Sequence, residues 1–136
     1  MSASTHEVPM LGIEAMDREH RELTRLFDDF ARCIENGGSE DQVNAIVQAA
    51  IRCANEHFDH EEQLAIAANY PKIEEEKFHH RNMRMQFTTL AGDTMNFRMK
   101  DPVTLQHLSI MRTLLEEHIA GPDKELADFL KAAGCK

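Results

Sequence analysis

The sequence predicts an all-α protein, an up-down-up-down antiparallel four-helix bundle with an N-terminal arm. Three observations lead there. Apolar residues recur at three- and four-residue spacing through four long stretches. Turn-forming Gly, Asn and Pro cluster mainly between those stretches. No stretch alternates apolar and polar residues as a half-buried strand does.

Residues 1–11 show no period, carry Pro9 with Gly12 just beyond, and read as an arm lying along the domain. From Glu14 to about Asn36, the residues Met16, Leu23, Leu26, Phe27, Phe30, Cys33 and Ile34 form one helical stripe, which Gly37-Gly38 ends. Ser39 offers an N-cap, and Gln42 three residues on completes a capping box. Val43, Ile46, Val47, Ala50, Ile51, Ala54, Phe58 and Leu64 carry the second helix to about Ala68. Asn69-Tyr70-Pro71 breaks it, because a residue preceding Pro avoids the helical region. A third helix starts near Pro71 or Lys72, with Glu74, Glu75 and Glu76 in the turn where the helix dipole favours anions. Its stripe of Ile73, His80, Met83, Phe87 and Leu90 fades around Gly92. The polar stretch from Ala91 to Lys100 reads as a loop with room for a helical extension. Asp101 and Pro102 supply an N-cap and a first-position Pro for the fourth helix. That helix carries Val103, Leu105, Leu108, Met111, Leu114, Leu115, His118 and Ile119. Gly121-Pro122 is expected to kink or break it, with Leu126 to Leu130 helical again. Residues 1–136 read as one domain.

A net charge of −9 argues against a nucleic-acid surface and against docking on an anionic membrane. The cysteines Cys33, Cys53 and Cys135 are odd in number and widely spaced, and no secretory or membrane-spanning segment accompanies them. That pattern predicts a reducing, cytoplasmic setting. Cys53 reads as a small core hydrophobe.

The chemistry lies in the histidines and carboxylates. The first helix has His20, the second His57 and Glu61, the third Glu76 and His80, and the fourth His118 followed by Asp123. Residues four apart share a helix face. Each of these residues lies on or beside its helix's apolar stripe, so all seven point inward. One buried histidine is usually a hydrogen-bonded core residue, and one i,i+4 pair is usually a surface contact. Seven such groups in one bundle call for a common partner, since buried ionisable groups are costly unless paired or metal-bound. Imidazoles with carboxylates suit iron, manganese or zinc, and bundle cores hold two-metal sites on inward residues from all four helices. No set of thiolates points to an iron–sulfur cluster.

These residues resemble a known family. Gly12-Ile13-Glu14-Ala15-Met16-Asp17-Arg18-Glu19-His20-Arg21-Glu22-Leu23 is similar to the first-helix signature of bacterial hemerythrins. His57-Phe58-Asp59-His60-Glu61-Glu62 resembles their H-F-x-x-E-E motif, with Leu64 where Met is frequent. Tyr70-Pro71 followed by His80 resembles the third-helix motif, and His118-Ile119-Ala120-Gly121-Pro122-Asp123 the H-I-x-x-x-D ending. The resemblance implies a non-haem di-iron centre, oxo- or hydroxo-bridged, that binds O2 or a similar diatomic ligand reversibly for carriage, storage or sensing. Manganese or zinc are the lesser alternatives. By position, Glu61 and Asp123 would bridge the irons. His20 and His57 would hold the iron with an open position, and His80 and His118 the other.

One position departs from the family. Where a further third-helix histidine is expected, four before His80, the chain has Glu76. Glu76 either replaces the imidazole as a ligand, or points away, or a register shift brings Glu75 and His79 in instead. The four-residue spacing to His80 favours the first, and leaves His79 turned toward solvent. His60 is likewise an outer residue, placed to support His57 from a second shell. Ile119, Phe27, Phe58 and Leu115 line either an apolar pocket or ordinary core. An anionic ligand at position 76 favours the ferric state, so faster autoxidation is expected than at a five-histidine site. It also keeps open a di-iron oxidase or peroxidase, and a role in handling iron or nitric oxide. A sensory role requires a signalling partner.

Overall fold

A computed structural model describes residues 10–95 and 102–134. Helix α1 spans Glu14–Glu35, α2 Glu40–Ala67, α3 Ile73–Met95 and α4 Pro102–His118. A π-helical turn, Ile119–Asp123, joins α4 to α5, Lys124–Ala132. There is no strand among the described residues. Helix α1 packs chiefly on α2 and α2 on α3, while α4 lies against both α3 and α1, and α5 touches α2. The helices thus close around one core as a helical bundle. No described helix is long and apolar enough to cross a membrane.

The connections follow from local chemistry. At the end of α1, Gly37 takes a φ of 70°, a region that a side chain disfavours. The amide of Gly38 then donates to the Cys33 carbonyl and that of Gly37 to Ile34, which satisfies the last carbonyls of the helix. Ser39 opens α2 with the expected capping box: the Gln42 amide donates to Ser39 Oγ at 3.2 Å, and the Ser39 amide donates to Gln42 Oε1 at 2.9 Å. At the end of α2, Asn69 rather than Gly enters the left-handed region, at φ 56°. The Tyr70 amide reaches the Ala65 carbonyl and the Asn69 amide that of Ile66, so the motif at the end of α1 recurs here. The stop is therefore made by Asn69 itself, and Pro71 only follows it.

Two expectations are revised. Helix α3 does not fade at Gly92 but continues to Met95, so residues 91–95 are helix rather than loop. A single Gly inside a helix costs only about 1 kcal/mol relative to Ala, too little to end it. The second is refined: the kink or break expected at Gly121-Pro122 is a π turn, which interrupts the regular α-helix without ending the helical course. Proline has no amide to donate, and its ring presses on the carbonyl four residues back, here that of His118. Widening to a π turn accommodates both effects while the helical course goes on into α5.

The core contains Leu23, Phe30, Phe58, Leu115, Ile119 and Leu126, all fully buried. Burial of each such side chain contributes about 1.5–3 kcal/mol. Cys33 and Cys53 pack against this core as small apolar groups. Leu114, expected on the inner stripe, turns partly outward, and Phe78, Met85 and Ile110 are also exposed. Leu11 and Ile13 are buried ahead of α1, and buried Asp17 accepts the amides of Leu11 at 2.8 Å and Gly12 at 3.1 Å. This latch fixes the entry to α1. The rest of the expected arm, residues 1–9 with His6, lies outside the described residues, as do residues 96–101 with Asp101, and Cys135.

The capping box is expected to contribute stability without touching the centre described next. Ser39→Ala should lower the unfolding free energy by about 1 kcal/mol in urea titration. No measurable loss would show that the cap is redundant.

Candidate metal centre

All seven inward donors meet inside the bundle. His20, His57, Glu61, His80 and Asp123 are almost wholly buried, Glu76 is 3% exposed and His118 6%. Helix α1 brings His20, α2 brings His57 and Glu61 one turn apart, and α3 brings Glu76 and His80 one turn apart. His118 ends α4 and Asp123 ends the π turn. On a regular helix, residues five apart diverge by about 140°. The wider π turn, with its i→i+5 repeat, returns Asp123 to the face of His118. His118 Nε2 accordingly lies 3.0 Å from Asp123 Oδ1. The break anticipated at Gly121-Pro122 is thus the device that aims a carboxylate inward.

The donors form two adjoining groups. One contains His20, His57, Glu61 and Asp123; the other contains Glu61, Glu76, His80, His118 and Asp123. Within each group a ligand atom from every residue lies within 4.8 Å of the others. Glu61 and Asp123 belong to both, and their oxygens divide between them. Glu61 Oε2 lies 3.2 Å from His20 Nε2 and 2.9 Å from His57 Nε2, while Oε1 lies 3.1 Å from His80 Nε2. Asp123 Oδ2 lies 3.0 Å from His20 Nε2, while Oδ1 faces His118. Glu76 Oε2 is 3.3 Å from His80 Nε2. Of the alternatives for the third helix, the geometry places Glu76 with the cluster.

Proximity here does not amount to satisfaction. His57 Nε2, His118 Nε2, Glu76 Oε2 and both Asp123 oxygens are buried without a properly oriented hydrogen bond. Orphaned buried polar atoms normally cost on the order of 1–3 kcal/mol each. Several of them converging on one point fit a pair of cations, with hard carboxylate oxygens and imidazole nitrogens as the donor set.

A second layer holds the imidazoles in place. His57 Nδ1–H donates to Glu19 Oε1 at 2.9 Å, and His80 Nδ1–H donates to Glu62 Oε2 at 2.7 Å. Each bond directs the opposite nitrogen, Nε2, at the centre. His60, half exposed, donates to the other oxygen of Glu19, so the anticipated support of His57 by His60 runs through that carboxylate. The Phe58 ring stacks on His80 at 4.5 Å and also meets the rings of His57 and His118. Phe27, Phe58, Leu115 and Ile119 are all part of the packed core. His79 is only partly turned to solvent, because its ring meets that of His118 at 5.8 Å. Glu19 and Glu62 escaped sequence reasoning: each is a charged neighbour of an inward residue, and nothing in the spacing separates it from a solvated glutamate.

Charge is strongly coupled in the metal-free centre. Burial alone would lower the His57 pKa, but the charge of Glu61 and hydrogen bonds to Glu19 and Glu61 carry it to about 10. For His80, burial is likewise overridden by Glu61, Glu76 and Glu62, and the value again reaches about 10. Burial, with the charges of Asp123 and Glu61, pushes the Glu76 carboxyl up against the opposing hydrogen bond from His80. Glu61 goes the other way: burial is outweighed by His57, His20 and His80, which hold it well below the usual carboxylate range.

The sequence pattern of the hemerythrin HHE cation binding domain matches residues 11–130. The chain belongs to the hemerythrin HHE family. That match spans the donors on every helix of the bundle and agrees with the cation-binding character of the cluster. Comparison with curated proteins finds no match to this hemerythrin-family chain.

The coupling has a direct consequence for the metal-free chain. His57 and His80 are raised from 6.5 when unfolded to about 10 when folded. Their contribution to stability is complete below the unfolded value and is lost as pH rises through the folded one. The melting temperature of metal-free protein should therefore fall between about pH 6.5 and 10. A flat or rising melting profile over that range would contradict the buried ion-pair network.

Proposed function

We propose that this hemerythrin-family chain holds two iron ions and binds O2 reversibly. The observation that carries the reading is the division of Glu61 and Asp123, each with one oxygen on either side of the centre. Two bridging carboxylates neutralise a close cationic pair. His20 and His57 would complete the first iron, and Glu76, His80 and His118 the second. The first group has one donor fewer than the second, which leaves the open position on the His20/His57 side. A ferrous pair supplies the electrons that reversible capture of O2 requires.

The chain's own residues set the conditions. Phe58, packed against three of the imidazoles, would help keep water from the centre, which favours release of O2 over hydrolytic side reactions. Glu19 and Glu62 hold two imidazoles in one orientation, so the donors need not reorganise. The up-down-up-down course, a single domain over residues 1–136 and a cytoplasmic setting belong to the same reading, as does a signalling partner if the role is sensory.

Glu76 supports a second reading, a di-iron oxidase or peroxidase. A third carboxylate lends negative charge to one side of the pair and stabilises ferric iron. The two readings part on what happens in air. Reversible binding predicts that ferrous-loaded protein gains a visible absorption band with O2 and loses it on degassing. Irreversible bleaching with peroxide release would favour the enzyme instead. On either reading, Glu76→His should lengthen the lifetime of the ferrous protein in air; an unchanged lifetime would remove Glu76 from the iron.

A further inference from the structure

Two cavities reach this buried cluster. One, of about 480 Å³, is mainly apolar in surface, walled by Met83, Met85 and Leu114, and also meets His79, Asn82, Gln86, Glu117 and His118. The other, of about 300 Å³, lies between the start of α3 and the π turn. Its wall carries Glu75, Glu76, His79, Lys72, Gly121 and Glu125. Its character is acidic, because Lys72 is paired with Glu125 at 2.7 Å and so offsets only one of three carboxylates. Glu75 and Glu125 are exposed, whereas Glu76 is buried and belongs to the cluster. His80 Nε2 lies 3.3 Å from Glu76 Oε2 without being oriented to hydrogen-bond it, so an unsatisfied buried acceptor stands where the cleft meets the centre.

We propose that this cleft is the port through which a divalent cation enters the centre, with Glu75 and Glu125 at the mouth and Glu76 as the inner acceptor. The proposal rests on the reading that the cluster holds metal. A hydrated divalent ion gives up its waters in steps, each offset by a new oxygen or nitrogen donor. The acidic cleft offers such donors in series, from the exposed carboxylates through His79 to Glu76. The mainly apolar cavity brings one carboxylate, Glu117, beside His79 and His118, against three in the acidic cleft, and so concentrates a cation less. Focused negative potential in a cleft also raises the local cation concentration and the entry rate. On this account Glu76 serves two purposes: it is a donor of the finished site and the last step of the way in.

Gly121 makes the port testable. A Cβ added there meets nothing within 4 Å, so a side chain can be started from the wall of the cleft without a clash at its first atom. Metal-free protein is mixed with Co²⁺ in a stopped-flow instrument. The visible cobalt absorption gives the rate, and metal analysis gives the ions bound per chain at equilibrium. Gly121→Leu should slow loading at least about tenfold, equivalent to about 1.4 kcal/mol on the barrier. Glu75→Gln should slow it roughly threefold and flatten its dependence on salt. Leu114→Trp, in the apolar cavity, should load at the wild-type rate. Wild-type rates in both Gly121→Leu and Glu75→Gln overturn the port, as does slowing by Leu114→Trp alone. If circular dichroism shows Gly121→Leu to be misfolded, the exposed Glu75→Gln variant decides by its rate and salt dependence. Wild-type protein that binds no cobalt overturns the metal-centre reading itself, and the port with it.

Discussion

Glu61 has no exposed surface, and its two oxygens face opposite sides of the centre. Everything around it answers to that burial. A carboxylate in an apolar core is tolerated only with compensating charge and hydrogen bonds. In the metal-free chain the compensation comes from His20, His57 and His80, which is why their pKa values rise as that of Glu61 falls. Cations held there would displace the imidazole protons and take over the same task. The centre is thus two solutions to one electrostatic problem, built on the same seven side chains.

The bundle supplies what this problem demands. Donors one turn apart on α2 and α3 need only regular helix. Asp123 needs more, and the π turn provides it by closing the five-residue gap to His118. Glu19 and Glu62 sit one residue from a donor on the same helix and bond to an imidazole from a neighbouring helix, so the centre also ties α1 to α2 and α2 to α3. Packing and polar geometry reinforce each other here: Phe58 is both core and the stacking partner of His80.

Much of this was legible in the sequence. The stripe periods located the helices, Ser39 and Gln42 gave the capping box, and the four-residue spacings put His57 with Glu61 and Glu76 with His80. The misses share a cause. Gly92 is read locally as a stop, though one glycine costs a helix too little to end it, and Gly121-Pro122 marks an irregular turn without telling a π turn from a break. The π turn depends on where His118 and Asp123 must point, which no short-range rule contains. Glu19, Glu62 and the half-covered His79 are placed by partners on other helices, and one sequence carries no record of which surfaces meet.

The measurement closest to the central claim is an anomalous-scattering map of crystals of the iron-loaded protein, collected at the iron edge. Two peaks per chain are expected inside the cluster, with Glu61 and Asp123 touching both and Glu76 touching the one shared with His80 and His118. A single peak, or iron bound away from these seven residues, would contradict the account.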